Sequence, residues 1–320
     1  MIDWLTIQFP FRHKPLYGGH FISINPDGTK EYDIAKKISA RGSYESETKV
    51  RSVGSLDEFG MISHIQLDGN PSKFLQGHNV WGSDDHCLLA CLWFCEVAKE
   101  LNLFVSPFDK YRLSRGGFDV NRVDINYMFK MAHNSDVNQF LIALGDCGST
   151  KYRKAMYQKG SVYFNKGSVR WSSVVYHKLE ETQVRKKGHK IDLMPDDKKL
   201  LQDSCKDHFR WEFKFQSLEL KDKNIYTGSD LAQYGVSKLY FEFLKNRIRI
   251  NGNMQVTDKD SLNMPSRLKG TYLLWKSGAD LRSCMSPRTF FRHKKELMLD
   301  YGIDIDSSER KTGSNVVKSL

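Results

Sequence analysis

Residues 209–216, "FRWEFKFQ", alternate without a break. Phe209, Trp211, Phe213 and Phe215 fall on one side, and Arg210, Glu212 and Lys214 on the other. Side chains of a strand point alternately to its two faces, so this stretch has to be a strand with an aromatic core face and a charged face. A chain that carries such a strand needs a sheet for it to join and a layer to cover the aromatics. The opening "MIDWLTIQFPF" has the same period, with Ile2, Trp4 and Thr6 against Asp3, Leu5 and Ile7, and reads as a strand closing at Pro10.

Further strands follow by the same reading. "GHFISINPDGTKEYDIAKKIS" is a hairpin about "NPDG", and "FGMISHIQLDGNP" is a strand ended by Gly69, Asn70 and Pro71. "FDVNRVDINYMFKM" is another, and "KGSVYFNKGSVRWSSVVYHKLEE" is two strands about a glycine turn. Helices are expected in "SDDHCLLACLWFCEVAKELNL", with Ser83 as N-cap, in "SDVNQFLIALGDCG" and in "PDDKKLLQDSCKD". Beyond about residue 225 the segments turn helical: "SDLAQYGVSKLYFEFLKNRI", "PSRLKGTYLLWKSGADLRSCM" and "SPRTFFRHKKELMLDYG". The expected architecture is α+β. An antiparallel-sheet domain with flanking helices over 1–222 precedes a small helix-turn-helix-like domain over 223–306 and a polar, disordered tail over 307–320.

Lys and Arg exceed Asp and Glu by 49 − 38 = 11. That surplus points to a polyanionic partner, nucleic acid first, since binding phosphates releases counterions. The rival, an anionic membrane, is weakened because no apolar run approaches about 20 residues, and no signal peptide is seen. Cys87, Cys91 and Cys95 are spaced as core positions of one helix, and no CxxC pair occurs among the six cysteines, so a reduced, cytoplasmic protein is expected.

Several residues have the types and spacing for chemistry. His64 and Gln66, with Asp68, share one strand face; an imidazole nitrogen and an amide oxygen can hold a divalent cation, or the row is a solvated face. Lys73, His78 and Asn79 lie in the glycine-bracketed "KFLQGHNVWG", either a phosphate-binding loop or a plain strand-to-helix connection. Asp124 sits inside an apolar strand, where Arg122 on the same face or a metal can balance it. A strand through "VRWSSVVYHKLEE" puts Tyr176 and Lys178 on one face; a lysine beside a phenol favours the phenolate. A phenolate next to a metal-bound phosphate is a transesterification nucleophile, and the alternative is a half-exposed strand edge. In "CMSPRTFFRHKKELM", Ser286 caps a helix with Pro287 at its first position, and Arg288, Arg292 and Lys295 form a basic stripe backed by Phe290, Phe291, Leu297 and Met298. The stripe suits either a DNA groove or solvent.

Together, "MIDWLTIQFPF", "PSKFLQGHNVWG", "NRVDINYMF" and "SSVVYHKLEE", with "FRWEFKFQ" more weakly, resemble the gene II/gene X replication proteins of filamentous phages, HUH-like rolling-circle initiator endonucleases. "HIQ" is similar to the His-hydrophobic-Gln variant of the HUH metal motif. The resemblance implies that the protein nicks one strand of origin DNA through a phosphotyrosine and later rejoins the displaced strand. It implies Mg²⁺ (Mn²⁺ as substitute), Tyr176 as nucleophile with Lys178 in the same segment, and His64, Gln66, Asp124, His78 and Glu212 as candidate ligands. The DNA contacts expected are Lys73, Arg288, Arg292 and Lys295. Implied partners are double- and single-stranded origin DNA and a host polymerase in the bacterial cytoplasm. No GxxxxGK[ST] loop is found, so strand separation falls to a host helicase; a homo-oligomer on DNA stays open. The alternatives are a non-catalytic, sequence-specific DNA-binding regulator and an RNA-binding module presenting sheet aromatics.

Overall fold

The structure, a computed structural model, describes residues 1–16, 18–42, 44, 46–183, 193–250, 264–276, 279–301 and 305. It is α+β, in two compact units, Met1–Met254 and Gln255–Leu320. In chain order the first unit contains β1 (Ile2–His13), the hairpin β2 (His20–Ile24) and β3 (Lys30–Ala35), β4 (Ile38–Arg41), β5 (Glu47–Leu56) and β6 (Ile62–Gly69). Three helices follow, α1 (Pro71–Gln76), α2 (His86–Glu100) and α3 (Pro107–Ser114), then β7 (Asp119–Lys130) and α4 (Asn134–Cys147). Next come the short β8 (Gly148–Ser149) and β9 (Met156–Gln158), then β10 (Ser161–Phe164), β11 (Trp171–His177), α5 (Lys178–Gln183), α6 (Pro195–Ser204) and β12 (His208–Gln216). Helices α7 (Ser217–Asp222), α8 (Gly228–Tyr234) and α9 (Val236–Arg247) and the two-residue β13 (Arg249–Ile250) close the unit.

Nine strands make one antiparallel sheet in the order β4-β5-β6-β1-β7-β12-β11-β10-β9. The alternating β12 lies inside it, and β1 links β6 to β7. One face is apolar. Leu5, Ile7 and Phe9 of β1, Val123 and Ile125 of β7, and Phe213 and Phe215 of β12 are fully buried there. Helices cover that face: Phe94 of α2 meets Phe9 edge-on at 4.8 Å, Phe140 of α4 stacks on Phe209 at 4.5 Å, and Phe243 of α9 meets Phe215 at 4.8 Å. The opposite, polar face carries the charged side chains. One end of it is covered by a small cluster of Val80, Leu201 and Cys205 with Met128 and Leu179.

Several sequence expectations move. The first strand runs through Pro10 to His13; Pro10 lies beyond the last β1–β7 pair, Gln8 with Asp119, where its missing N–H is harmless. Helix α2 is capped by Asp85, whose carboxylate accepts from Leu88 N at 2.9 Å, while Ser83 Oγ takes the N–H of Asp85. "PSKF" is helical, capped by Asn70 and closed by Gly77 at φ 78°. Lys178 opens α5 instead of continuing its strand. The first unit ends at Met254, not at residue 222, because Leu231, Val236, Leu239, Tyr240 and Phe243 of α8 and α9 share the sheet's core. The tail 307–320 lies outside the described residues.

The second unit has α10 (Ser266–Lys276), the one-turn α11 (Leu281–Cys284) and α12 (Pro287–Tyr301) around Leu268, Tyr272, Leu281, Phe290 and Leu297. Ser286 Oγ accepts from Thr289 N, as an N-cap should. Arg288, Arg292 and Lys295 face solvent in one stripe. Phe290 and Leu297 back it as expected, but Phe291 and Met298 are exposed, since positions 290, 293 and 297 face the small core.

Candidate active site

The register of the sheet decides which polar residues meet. Tyr176 on β11 is the direct cross-strand partner of Arg210 on β12, and Arg210 pairs with Met128 on β7. Two residues along, Glu212 lies between Val174 and Asn126. Asp124 pairs with Lys214 on one side and Trp4 on the other, and Asp3 sits in the bulge that breaks the β1–β7 register between Ile2 and Trp4. Tyr176, Arg210, Glu212, Asn126, Asp124 and Asp3 therefore crowd one end of the polar face.

The loop after α1 joins them. Asn79 donates to Asp3 Oδ1 at 2.9 Å, and Asn70 to the same oxygen at 3.2 Å. Asn79 Oδ1 in turn accepts from Lys178 Nζ at 3.1 Å. Lys178 is wholly buried and also bonds Glu181 at 2.7 Å; its ammonium lies 6.0 Å from the centre of the Tyr176 ring. Arg210 is wholly buried too. Its Nη2 donates to Val80 O at 3.0 Å, and its Nη1 lies 3.8 Å from Asp3 Oδ1.

The electrostatics follow from this crowding. Burial pushes the Tyr176 phenol well above its ordinary range, and the Arg210 charge works against that. Burial, then the neighbouring Arg210, lowers the Lys178 ammonium, which Glu181 partly restores. Glu212 is held well above the usual carboxylate range by burial and by Asp3 and Asp124. His78 is lowered by burial and by Lys178 and Arg210, and burial also lowers Lys73.

Of the residues nominated from sequence, Tyr176, Lys178 and His78 lie in or beside this cluster, and Lys73 in α1 feels the charges of Asp3 and Glu181. Asp124 is also there, gripped by Arg122 through Nε–Oδ1 at 2.8 Å and a second Nη2–Oδ2 contact, so the ion pair takes both carboxylate oxygens. His64 and Gln66 are elsewhere. Gln66 lines up through Gln8 with Asp119 of β7, whereas Tyr176 lines up with Met128. Those β7 positions are nine residues apart, roughly 30 Å of strand. His64 is still further along, against Ser63 Oγ at 2.8 Å. Thus His64, Gln66, Asp124 and His78 do not form one ligand set, and among the described residues no group of three or more His, Cys, Asp or Glu side chains is placed to hold a metal. Asp68, in the His64 row, is satisfied by Lys37, Trp4 and Thr6.

Sequence reading missed Asp3, Arg210 and Asn126. The available signal was the charged face of β12: a strand with an aromatic core face has no ordinary use for a wholly buried arginine on its other side.

Comparison with known proteins places the chain in a family. Residues 1–234 match the N-terminal domain family of the phage gene II replication-associated protein, and residues 256–320 match its C-terminal counterpart. The chain is 36% identical over 321 residues to the replication-associated protein of this kind from Enterobacteria phage I2-2, covering 99% of this chain and 91% of that protein. It is 29% identical over 123 residues to the corresponding replication-associated protein of Salmonella phage IKe, covering 38% of this chain and 28% of that one. The chain belongs to the filamentous-phage gene II family of replication-associated proteins.

Proposed function

We propose that this phage replication protein initiates rolling-circle synthesis by nicking one strand of origin DNA. The Tyr176 oxygen attacks the scissile phosphorus, and the bond to the 3′ oxygen breaks. The 5′ phosphate is left esterified to Tyr176, with a free 3′ hydroxyl for a host polymerase. Attack by a 3′ hydroxyl on that ester reverses the step and seals the displaced strand without a nucleotide cofactor. The observation that carries this reading is the placement of Tyr176 among buried cations on a polar sheet face, in a chain of this family. The Arg210 charge favours the phenolate, and the Lys178 ammonium, 6.0 Å from the ring centre, favours the negative charge that develops on phosphorus.

Asp3 and Glu212 are the carboxylates that suit a Mg²⁺ ion here, because Mg²⁺ is commonly held by one or two carboxylates with substrate phosphates and water completing its shell. Burial first, and then the neighbouring Asp3 and Asp124, raise the Glu212 carboxyl. Bound there, the ion supplies positive charge to the phosphate oxygens. The exposed Arg288, Arg292 and Lys295 of α12 hold origin duplex. A host helicase opens it, in the cytoplasm of the bacterial host. No helix among the described residues is long and apolar enough to cross a membrane.

The test is direct. The protein is incubated with supercoiled DNA bearing its own origin and Mg²⁺ or Mn²⁺, denatured and digested, and the Tyr176 peptide is searched by mass spectrometry for a nucleotide. An adduct that Tyr176→Phe and excess EDTA both abolish supports the reading. Specific binding with no adduct makes the protein a non-catalytic regulator.

A further inference from the structure

Four buried polar atoms near Tyr176 make no hydrogen bond: Nε and Nη1 of Arg210, and Nδ2 and Oδ1 of Asn126. Both residues are fully buried, at 0% exposure. Buried polar atoms are nearly always paired, and unmade bonds of a buried guanidinium are especially costly. Register puts them together. Arg210 pairs with Met128, and Asn126 with Glu212, so Arg210 and Asn126 are diagonal neighbours on the face that carries Tyr176, about 7 Å apart. A guanidinium is a strong, fixed donor to phosphate oxygens; Arg210 Nε has no hydrogen-bond partner, while Nη1 faces Asp3 Oδ1 at 3.8 Å.

We infer that Arg210 and Asn126 form the receiving pocket for the scissile phosphate; this rests on the Tyr176 reading above. Arg210 Nε takes one non-bridging oxygen and Asn126 Nδ2 the other. Asn126 Oδ1 suits the 3′ hydroxyl that cleavage releases. The pocket is roofed here by the loop at Val80, whose carbonyl takes the remaining Arg210 bond, so the phosphate enters as that loop lifts. Arg51 and Arg112 also leave Nε unpaired but are only partly buried; Arg210 is wholly buried, and its unpaired Nε lies on the residue directly across from the proposed nucleophile.

The experiment follows single-turnover adduct formation on a short single-stranded oligonucleotide spanning the cleaved bond, together with thermal melting. Arg210→Lys keeps the charge but loses the Nε donor, and should slow adduct formation about 100-fold. Asn126→Leu removes two unpaired atoms at similar volume. It should melt no lower than wild type yet slow the adduct at least about 10-fold. Neither loss should appear on an oligonucleotide whose scissile phosphate is a neutral methylphosphonate. Wild-type rates in Asn126→Leu, or equal losses on both substrates, overturn the pocket while leaving Tyr176 in place. If Arg210→Lys fails to fold, a crystal structure of the trapped wild-type adduct decides: a phosphate out of hydrogen-bond reach of Arg210 Nε overturns it. No adduct in wild type removes the Tyr176 reading, and the pocket with it.

Discussion

His13 and His177 are buried imidazoles in the first unit, at 3% and 4% exposure. His13 donates from Nδ1 to Phe11 O and accepts from Ser52 Oγ at Nε2, an arrangement that suits the neutral ring. Burial lowers both groups from the ordinary histidine value; the Phe11 carbonyl in one case, and Glu180 and Asp207 in the other, only partly offset it. The sign follows. Below about pH 6.5 the unfolded chain takes up protons that the folded chain refuses, so stability is full above that pH and falls as pH drops toward the depressed folded values. The melting temperature should therefore be lower at pH 5.5 than at pH 7.5. His13→Gln with His177→Gln should flatten that dependence; an unchanged slope would place it elsewhere.

Strand β12 shows what an element contributes as a unit. Phe213 is fully buried, with Trp211 and Phe215 stacked on either side and Tyr240 edge-on at 5.2 Å. Phe213→Ala should cost about 3–5 kcal/mol in a denaturant titration of the first unit. An effect under about 1 kcal/mol would mean the aromatic face is not the core. This strand was legible from sequence because its period of two is unbroken. Strand β5, "ETKVRSVGSL", was not: its outer half is exposed, Gly54 at φ 105° interrupts it, and its pairing with β6 slips between Val53 and Leu56. Helix α3 was also missed, since Leu113 is its only buried residue, although Ser106 and Asp109 form a reciprocal cap. The site was half legible for a related reason. Tyr176 and Lys178 are neighbours in sequence, whereas Asp3, Asn126 and Arg210 meet only through strand register, which no local pattern states.

At the scale of the whole molecule, the two units invite separate tests. Under the proposed division of labour, Arg288→Ala with Arg292→Ala removes two phosphate contacts. The salt dependence of duplex binding, log K against log salt, should then fall by about 2. Cleavage of a short single-stranded oligonucleotide should stay at the wild-type rate. Loss of both activities together would contradict a separate duplex-binding unit. Within the first unit, an inner strand of the sheet, β1, is also the first element of the chain, and the polar cluster draws on residues 3, 79, 124–126, 176–178 and 210–212. Such contacts are long in sequence and form late. A ribosome adding roughly 5–20 residues per second exposes β1 many seconds before β12 leaves the exit tunnel. Through the first part of that interval β1 waits for β7, and then β7 waits for β12. All the while the residues of the proposed nicking centre stay apart on the nascent chain.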